Sequence, residues 1–185
     1  MNIEKTSIEG AYILEPTVFE DKRGYFFESF NQQKFEEVLG TAIYFVQDNQ
    51  SKSSKGVLRG IHYQNGKHAQ AKLVRVLEGE ILDVVVDLRS DSPSYKKVFK
   101  TVLSNINNRQ LFIPRGCAHG FLTLSETATF FYKCDNFYNK ESEGGIRYDD
   151  PEFAIDWKLP DDELIISEKD LELPYLSQTE KHNRQ

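Results

Sequence analysis

Several residue types are scarce in this chain of 185 residues, and each scarcity excludes a class of protein. Only two cysteines occur, Cys117 and Cys134, which are too few for the disulfide framework of a small secreted domain. The amino terminus, MNIEKTSIEGAYILEP, contains no long apolar run. We therefore expect no signal peptide, no transmembrane span and a cytoplasmic location.

Positive charge is also in short supply. The 23 Lys and Arg side chains are outnumbered by 29 Asp and Glu side chains, which gives a net charge of −6. Nucleic acid is therefore not an expected partner, because a phosphate backbone attracts cationic surfaces. A small anionic ligand is still compatible with this composition, since a local basic cluster can hold it.

The usual signatures of metal and nucleophilic chemistry are missing. A metal site in a β-barrel commonly uses two histidines two residues apart, whereas Tyr63 and Gln64 follow His62. His68 and His119 keep a metal site open as an alternative, although Lys72 would repel a cation. The sequence contains neither a G-x-S-x-G nucleophile elbow nor a glycine-rich phosphate loop.

Short strand-like segments make up most of the sequence. They are rich in aromatic and β-branched residues, and Gly, Asn, Ser and Pro separate them. One helix is predicted over 31–39, where Asn31 provides a cap, Phe35 begins an apolar face and Gly40 ends the segment. Many short strands with little helix between them predict an all-β sandwich or barrel, built as one domain over 1–185.

Single ionisable residues interrupt the apolar faces of these strands. Alternation along each strand gives Lys72, Asp83, His119 and Tyr132 apolar neighbours on the same face. Arg59 and His62 lie three positions apart, so a regular strand would separate them, whereas a bulge at Gly60 would bring both inward. Each residue alone is more often structural than functional, but together they indicate a polar cavity in the barrel mouth.

These residue types suit acid–base chemistry at a carbon atom. A histidine beside a buried carboxylate can remove a proton, and a lysine can stabilise the enolate oxygen that then forms. A tyrosine on the opposite face of the substrate can return a proton. A base, a cation and an acid in this arrangement would make an epimerase, but the sequence pattern does not place them together.

Longer motifs extend through nearly the whole chain in a fixed order. They are FEDKRGYFFESFN at 19–31, FVQDNQS at 45–51, VLRGIHYQ at 57–64, AKLVRVLEGEILDVVVDLR at 71–89, FIPRGCAHGFLTLSETATFFYKC at 112–134, YDDPEFAIDW at 148–157 and ISEKD at 166–170. Together they resemble the dTDP-4-dehydrorhamnose 3,5-epimerase family of the cupin superfamily.

The resemblance implies a jelly-roll β-barrel or sandwich with a few short helices, mainly near 31–39 and in the C-terminal tail. It implies a homodimer that needs no metal and no organic cofactor. Strands within residues 1–50 would be exchanged with the partner subunit, and the tail over 148–185 would close the site.

The implied reaction is the inversion of C3 and C5 of dTDP-4-dehydro-6-deoxy-D-glucose, which gives dTDP-4-dehydro-L-rhamnose in dTDP-L-rhamnose biosynthesis. His62 resembles the base of this family, and Asp170 resembles the carboxylate that pairs with it. Lys72 is similar to the lysine at the C4 oxygen, and Tyr132 is similar to the acid on the far face of the sugar.

The resemblance also implies supporting and binding residues. His119 with Asp83 resembles a second histidine–carboxylate pair. The residues that resemble substrate contacts, three of them contributed by the partner subunit, are Gln47, Asn49, Arg59, Tyr138 and Lys169 in one chain and Arg23, Phe26 and Glu28 in the other.

Three alternatives differ from this interpretation in class or in extent. A relative could invert C3 alone in another deoxysugar pathway, although Tyr132 favours inversion at C5 as well. A metal-dependent cupin enzyme would require a bound ion. A non-catalytic sugar-nucleotide binding module would not need the base and the acid, and both are present.

Overall fold

The computed structural model describes residues 2–182, and it describes side chains to residue 179. Fourteen strands occur in this part of the chain. In chain order they are β1 Asn2–Lys5, β2 Tyr12–Glu15, β3 Phe19–Asp21, β4 Gly24–Phe26, β5 Gln47–Ser54, β6 Val57–Gln64, β7 Lys72–Glu78, β8 Glu80–Asp87, β9 Val98–Ser104, β10 Gln110–Ile113, β11 Cys117–Thr123, β12 Thr127–Cys134, β13 Glu143–Gly145 and β14 Ile165–Ile166.

Two main sheets face each other. The first has the order β1-β2-β10-β7-β12-β5, and the second has the order β13-β6-β11-β8-β9 with β14 beside β6. Strands β3 and β4 pair with each other as a separate hairpin. The predicted all-β fold is confirmed, and the facing sheets form the jelly-roll sandwich that the resemblance implies.

The helices are short and lie where they were expected. They are α1 Gln32–Leu39, α2 Glu168–Leu171 and α3 Leu176–His182. Asn31 caps α1 by accepting a hydrogen bond from the Lys34 N–H, and Gly40 ends it in a left-handed conformation. Phe35 is buried and packs with Leu73 against the outer face of the first sheet. No helix among residues 2–182 is both long enough and apolar enough to cross a membrane.

The alternation predicted for the strands matches the core between the sheets. The residues expected beside the ionisable groups cluster there, namely Val74, Val76, Ile81, Val85, Phe121, Ala128 and Phe130. The outer face of the second sheet packs against the C-terminal tail, where Trp157 and Leu176 are buried. Strand β14 hydrogen-bonds to the start of β6 in parallel, and this pairing carries α2 towards the cavity between the sheets.

A bulge interrupts the pairing of β6 with β11, as predicted. His62 pairs with His119 and Arg59 pairs with Phe121, so β6 contains one more residue than β11 over this interval. Gly60 lies within the bulge at φ 122°, a conformation that favours glycine. A Cβ atom at Gly60 would lie only 2.6 Å from the Gly120 Cα. The bulge turns Arg59 and His62 towards the same cavity.

We expect Gly60→Ala to lower the free energy of unfolding by about 2 kcal/mol more than Gly24→Ala does, because overpacking adds to backbone strain. Gly24 is a matched control, since its φ is 120° but nothing lies within 4 Å of the point that a Cβ atom there would occupy. Urea denaturation followed by Trp157 fluorescence measures both variants. Equal losses of stability would contradict a steric role for Gly60.

Candidate active site

A cavity of about 450 Å³, called here the main cavity, lies between the two sheets. Strands β5, β7 and β12 form one wall, and β6 and β11 form the other. Nine of the predicted site residues line it, namely Asn49, Arg59, His62, Lys72, His119, Tyr132, Tyr138, Lys169 and Asp170. The structure therefore brings together residues that are far apart in the sequence.

His62 and Asp170 form a hydrogen-bonded pair in the main cavity. His62 Nε2 lies 2.7 Å from Asp170 Oδ1, and the Gly60 N–H donates to Asp170 Oδ2 at 3.3 Å. Burial raises the pKa of Asp170, but the bonds from His62 and Gly60 and the charge of His62 outweigh it and hold the pKa below its usual value. Asp170 is thus an ionised carboxylate that orients the imidazole ring through Nε2 and does not engage Nδ1.

A capping arrangement positions the Asp170 carboxylate. Ser167 caps α2, and its Oγ accepts a hydrogen bond from the Asp170 N–H at 3.1 Å. In a capping box, the acidic side chain at this position returns to the backbone of the cap residue. The Asp170 carboxylate instead points across to His62 and Gly60. The Ser167 cap therefore fixes the backbone of Asp170, while the carboxylate stays free to bond to residues of the cavity wall.

His119 and Asp83 form a second pair deeper in the fold. His119 Nε2 lies 2.9 Å from Asp83 Oδ2, and the His119 ring stacks on Phe130 with centroids 5.9 Å apart. Asp83 is fully buried in the middle of β8, so it does not cap a turn. Its Oδ1 has no hydrogen-bond partner among the described residues. Asp83 does not itself line the main cavity, but its electrostatic interaction with Lys72 raises the pKa of that lysine against the larger effect of burial.

Lys72 and Tyr132 lie beside each other on neighbouring strands. The Lys72 ammonium is 5.9 Å from the centre of the Tyr132 ring. Burial lowers the pKa of Lys72 and raises the pKa of Tyr132 to about 12. No described residue forms a hydrogen bond or ion pair with the Lys72 ammonium. Its charge is therefore available to an oxygen atom of a ligand in the main cavity.

The predicted nucleotide contacts surround the mouth of the main cavity. Gln47 does not line it, but its amide donates to Asn49 Oδ1 at 3.1 Å and accepts from the Tyr138 N–H at 2.9 Å. The Tyr138 ring is half exposed, and Lys169 and Arg59 are exposed cations nearby. Gln47 thus acts on the cavity through two residues that do line it.

Arg23, Phe26 and Glu28 do not line the main cavity of their own chain. Phe26 is 70% exposed on the β3–β4 hairpin, and Arg23 binds Asp21 on the same hairpin at 2.6 Å. Glu28 accepts a hydrogen bond from Lys34 at 2.9 Å. Their contact with a ligand in the partner subunit stays a prediction.

The sequence patterns did not single out Glu143, which the structure places at the cavity mouth. Its carboxylate accepts hydrogen bonds from the Tyr138 hydroxyl at 2.9 Å and from the Lys169 ammonium at 2.6 Å. Glu143 lies in a turn-rich segment without periodicity, so no local signal marks it. Ser167 was also missed, although S-x-x-D at 167–170 is a capping signature that could have revealed it.

The remaining sequence candidates do not line the main cavity. His68 ends a short 3₁₀ turn, Gly66–His68, and does not line the cavity. Cys117 and Cys134 are buried free thiols, and burial raises their pKa values to about 12 and about 11. Within the described part of the chain, no three His, Cys, Asp or Glu side chains are grouped to hold a metal ion.

The fold and the cavity together define a jelly-roll protein equipped for acid–base chemistry on a small polar ligand. A model of the dTDP-4-dehydrorhamnose 3,5-epimerase family matches residues 5–178, and the chain belongs to this family. A relative of that name from Salmonella typhimurium is 51% identical over 181 residues, which cover 96% of this chain and 97% of the relative.

Solved structures agree with this assignment. The dTDP-4-dehydrorhamnose 3,5-epimerase of Elizabethkingia anophelis is 57% identical with a TM-score of 0.93, and the match covers 96% of this chain and 97% of that one. A dTDP-6-deoxy-D-glucose-3,5-epimerase from Legionella pneumophila, in complex with dTDP-4-keto-L-rhamnose, is 48% identical with a TM-score of 0.91. That match covers 95% of this chain and 93% of the Legionella chain.

We expect Lys72→Met to raise the free energy of unfolding by about 1 kcal/mol at pH 7, because the native fold buries an ammonium that has no ion-pair partner among the described residues. The pKa of Lys72 is lower in the folded chain than in the unfolded chain, so the unfolded chain binds the lysine proton more tightly. The buried charge therefore destabilises the folded chain at neutral pH. The stability difference should shrink as the pH rises towards 10.5, the ordinary lysine value.

Urea denaturation at several pH values measures the effect of Lys72→Met. Lys55→Met is the control, since Lys55 is an exposed lysine outside the main cavity and should change stability little. A Lys72→Met variant no more stable than the native chain at pH 7 would contradict the argument.

Proposed function

We propose that this chain is a sugar-nucleotide epimerase that inverts C3 and C5 of dTDP-4-dehydro-6-deoxy-D-glucose. The product is dTDP-4-dehydro-L-rhamnose, in dTDP-L-rhamnose biosynthesis. One observation carries the proposal: the His62–Asp170 pair, Lys72 and Tyr132 all line one cavity. The family to which the chain belongs supports it, as does the related Legionella structure with dTDP-4-keto-L-rhamnose.

His62 acts as the general base. C3 and C5 both adjoin the C4 ketone, so removing a proton from either carbon gives an enolate. The imidazole takes this proton, and the ionised Asp170 at 2.7 Å stabilises the imidazolium that forms. Because both carbons are related to the same ketone, one base can serve both inversions.

Lys72 stabilises the enolate oxygen at C4. Its ammonium has no protein partner among the described residues, and apolar core residues such as Val74 and Phe130 lie nearby in the same wall. In such surroundings a charge interacts more strongly with developing negative charge than it does in water. The same desolvation that lowers the pKa of Lys72 therefore strengthens its contact with the oxyanion.

Tyr132 returns a proton to the opposite face of the sugar. Inversion requires that the new C–H bond forms on the face away from the base. A phenol whose pKa is raised to about 12 keeps its proton at neutral pH, so it is loaded before the enolate forms. Proton removal and return leave the oxidation state of each carbon unchanged, and we therefore propose that the reaction needs no metal and no organic cofactor.

The nucleotide occupies the mouth of the main cavity. We assign the diphosphate to the cations Arg59 and Lys169, because guanidinium and ammonium groups are common phosphate ligands. The half-exposed ring of Tyr138 offers a face on which thymine can stack. Asn49, held by Gln47, provides an amide for the sugar or the pyrophosphate.

The active form proposed is a cytoplasmic homodimer with exchanged N-terminal strands. The β3–β4 hairpin supports the exchange, because Phe19, Tyr25 and Phe26 expose large apolar areas that a partner would bury. In this arrangement Arg23, Phe26 and Glu28 reach the ligand of the neighbouring subunit. The tail over 148–185, of which residues 183–185 lie outside the described part of the chain, closes the site of its own chain. Two buried free cysteines are compatible with a reducing compartment.

We expect deuterium from D₂O to appear at both C3 and C5 of the product, because each inversion draws a proton from the solvent-exchanged Tyr132. Proton NMR of dTDP-4-dehydro-6-deoxy-D-glucose incubated with the enzyme measures the label. Tyr132→Phe should reduce labelling with inversion at C5 by more than about tenfold. Label at C3 alone in the native enzyme would favour the C3-only epimerase instead.

Mixing two impaired variants tests both the base and the exchanged strands. We expect His62→Ala to lower the rate by roughly 10² to 10⁴ and Arg23→Ala to weaken substrate binding. In a mixed dimer, the subunit that carries Arg23→Ala keeps its own His62 and receives Arg23 from its partner, so one site of two is intact. Activity should therefore reappear after the variants are unfolded and refolded together.

The control for this mixture combines His62→Ala with Lys72→Ala. Both residues belong to the same chain's cavity, so each mixed-dimer site still lacks one of them. This pair should recover no activity. If neither mixture of variants recovered activity, the result would contradict the contribution of Arg23 to the site of the partner subunit.

A further inference from the structure

A second cavity of about 520 Å³, called here the side cavity, adjoins the main cavity. Five residues line both, namely His62, Tyr63, Tyr138, Glu143 and Lys169. The remaining wall of the side cavity includes Gly144, Gly145 and residues of the C-terminal tail such as Leu173 and Thr179. The proposed base is therefore accessible from two sides.

A three-residue bridge separates the two cavities. The Glu143 carboxylate accepts from the Tyr138 hydroxyl on one oxygen and from the Lys169 ammonium on the other. Burial raises the pKa of Glu143, but these two bonds and the charges of Lys169 and His62 outweigh it and hold the pKa low. Lys140 and Lys169 are exposed, so the side cavity reaches the protein surface. The side cavity therefore presents an ionised carboxylate near His62.

The proposed reaction creates a need for such an access. After one inversion, His62 carries an additional proton and Tyr132 lacks one. A second inversion within the same bound state requires His62 to lose its proton and Tyr132 to regain one. The sugar nucleotide then occupies the main cavity, which leaves little space for water beside His62 on that side.

We propose that the side cavity is a water-filled path through which His62 exchanges its proton with solvent while the sugar nucleotide occupies the main cavity. The inference rests on the proposed epimerase function. The Nδ1–H group of the His62 imidazolium gives its proton to water in the side cavity. The Glu143 carboxylate stabilises the positively charged hydronium ion that forms. The Tyr132 phenolate takes a proton from solvent water, so no net charge remains.

Filling the side cavity tests this path. Thr179 lines the side cavity but not the main one, and Thr179→Trp would occupy its volume. Ser177→Trp is the matched control, because Ser177 is exposed on the same helix, α3. The measurement is a single turnover with excess enzyme in D₂O, quenched at intervals and analysed by NMR. It gives the rates of both inversions and the amount of deuterium that enters C3 or C5 without inversion.

We expect Thr179→Trp to slow the second inversion at least about tenfold relative to the first, since a protonated base is inactive. In Thr179→Trp, the rate at which deuterium enters C3 or C5 with retained configuration should fall by a similar factor. Ser177→Trp should show the rates of the native enzyme. Native rates in Thr179→Trp, or no label with retained configuration in the native enzyme, would overturn the proposal. If the native enzyme inverted only C3, the proposed double epimerisation would be wrong, whatever the role of the side cavity. In that case, the label that enters C3 with retained configuration would still test whether His62 exchanges its proton through the side cavity.

A variant modified after folding avoids the risk that tryptophan prevents folding. Thr179→Cys provides a thiol for methanethiosulfonate reagents of increasing size, and Cys117 and Cys134 are buried at 4% and 1% exposure. The second inversion should slow progressively from a methyl to a benzyl adduct, and Ser177→Cys with the same adducts should not slow. Rates independent of adduct size would overturn the proposal.

Discussion

The close contact between the Gly60 and Gly120 backbones is the constraint on which the site depends. Because neither residue has a side chain, β6 approaches β11 closely enough to accommodate one additional residue. The bulge turns Arg59 and His62 into the same cavity and directs the Gly60 N–H at Asp170. One local change in backbone geometry therefore places the proposed base His62, the cation Arg59 and a hydrogen bond to the carboxylate that orients His62.

The apolar core between the sheets makes the few charges of the cavity effective. Burial opposes the charged form of Lys72 and the ionisation of Tyr132, so both groups favour their neutral forms more than they do in water. Asp170 remains ionised because hydrogen bonds compensate for its burial. The same packing that stabilises the sandwich thus shifts the proton affinities of Lys72 and Tyr132.

Local patterns in the sequence predict much of the framework. Strand alternation placed Lys72, Asp83 and Tyr132 beside the correct apolar neighbours, and Asn31 correctly marked the start of α1. These predictions succeeded because side-chain alternation and helix capping depend on residues a few positions apart. The bulge at Gly60 was also readable, since glycine within a strand pattern indicates close backbone approach.

By itself, the sequence determined the strands, the apolar faces, the first helix and, through family motifs, the residues proposed for catalysis. Only the tertiary structure decided which of them meet. Asp170 lies 108 positions from His62, and the tail reaches it through the pairing of β14 with β6. Glu143 and the side cavity have no local signature, because their geometry arises where a turn, a strand and the C-terminal tail pack together. Packing between distant segments is a property of the whole chain, and no short pattern encodes it.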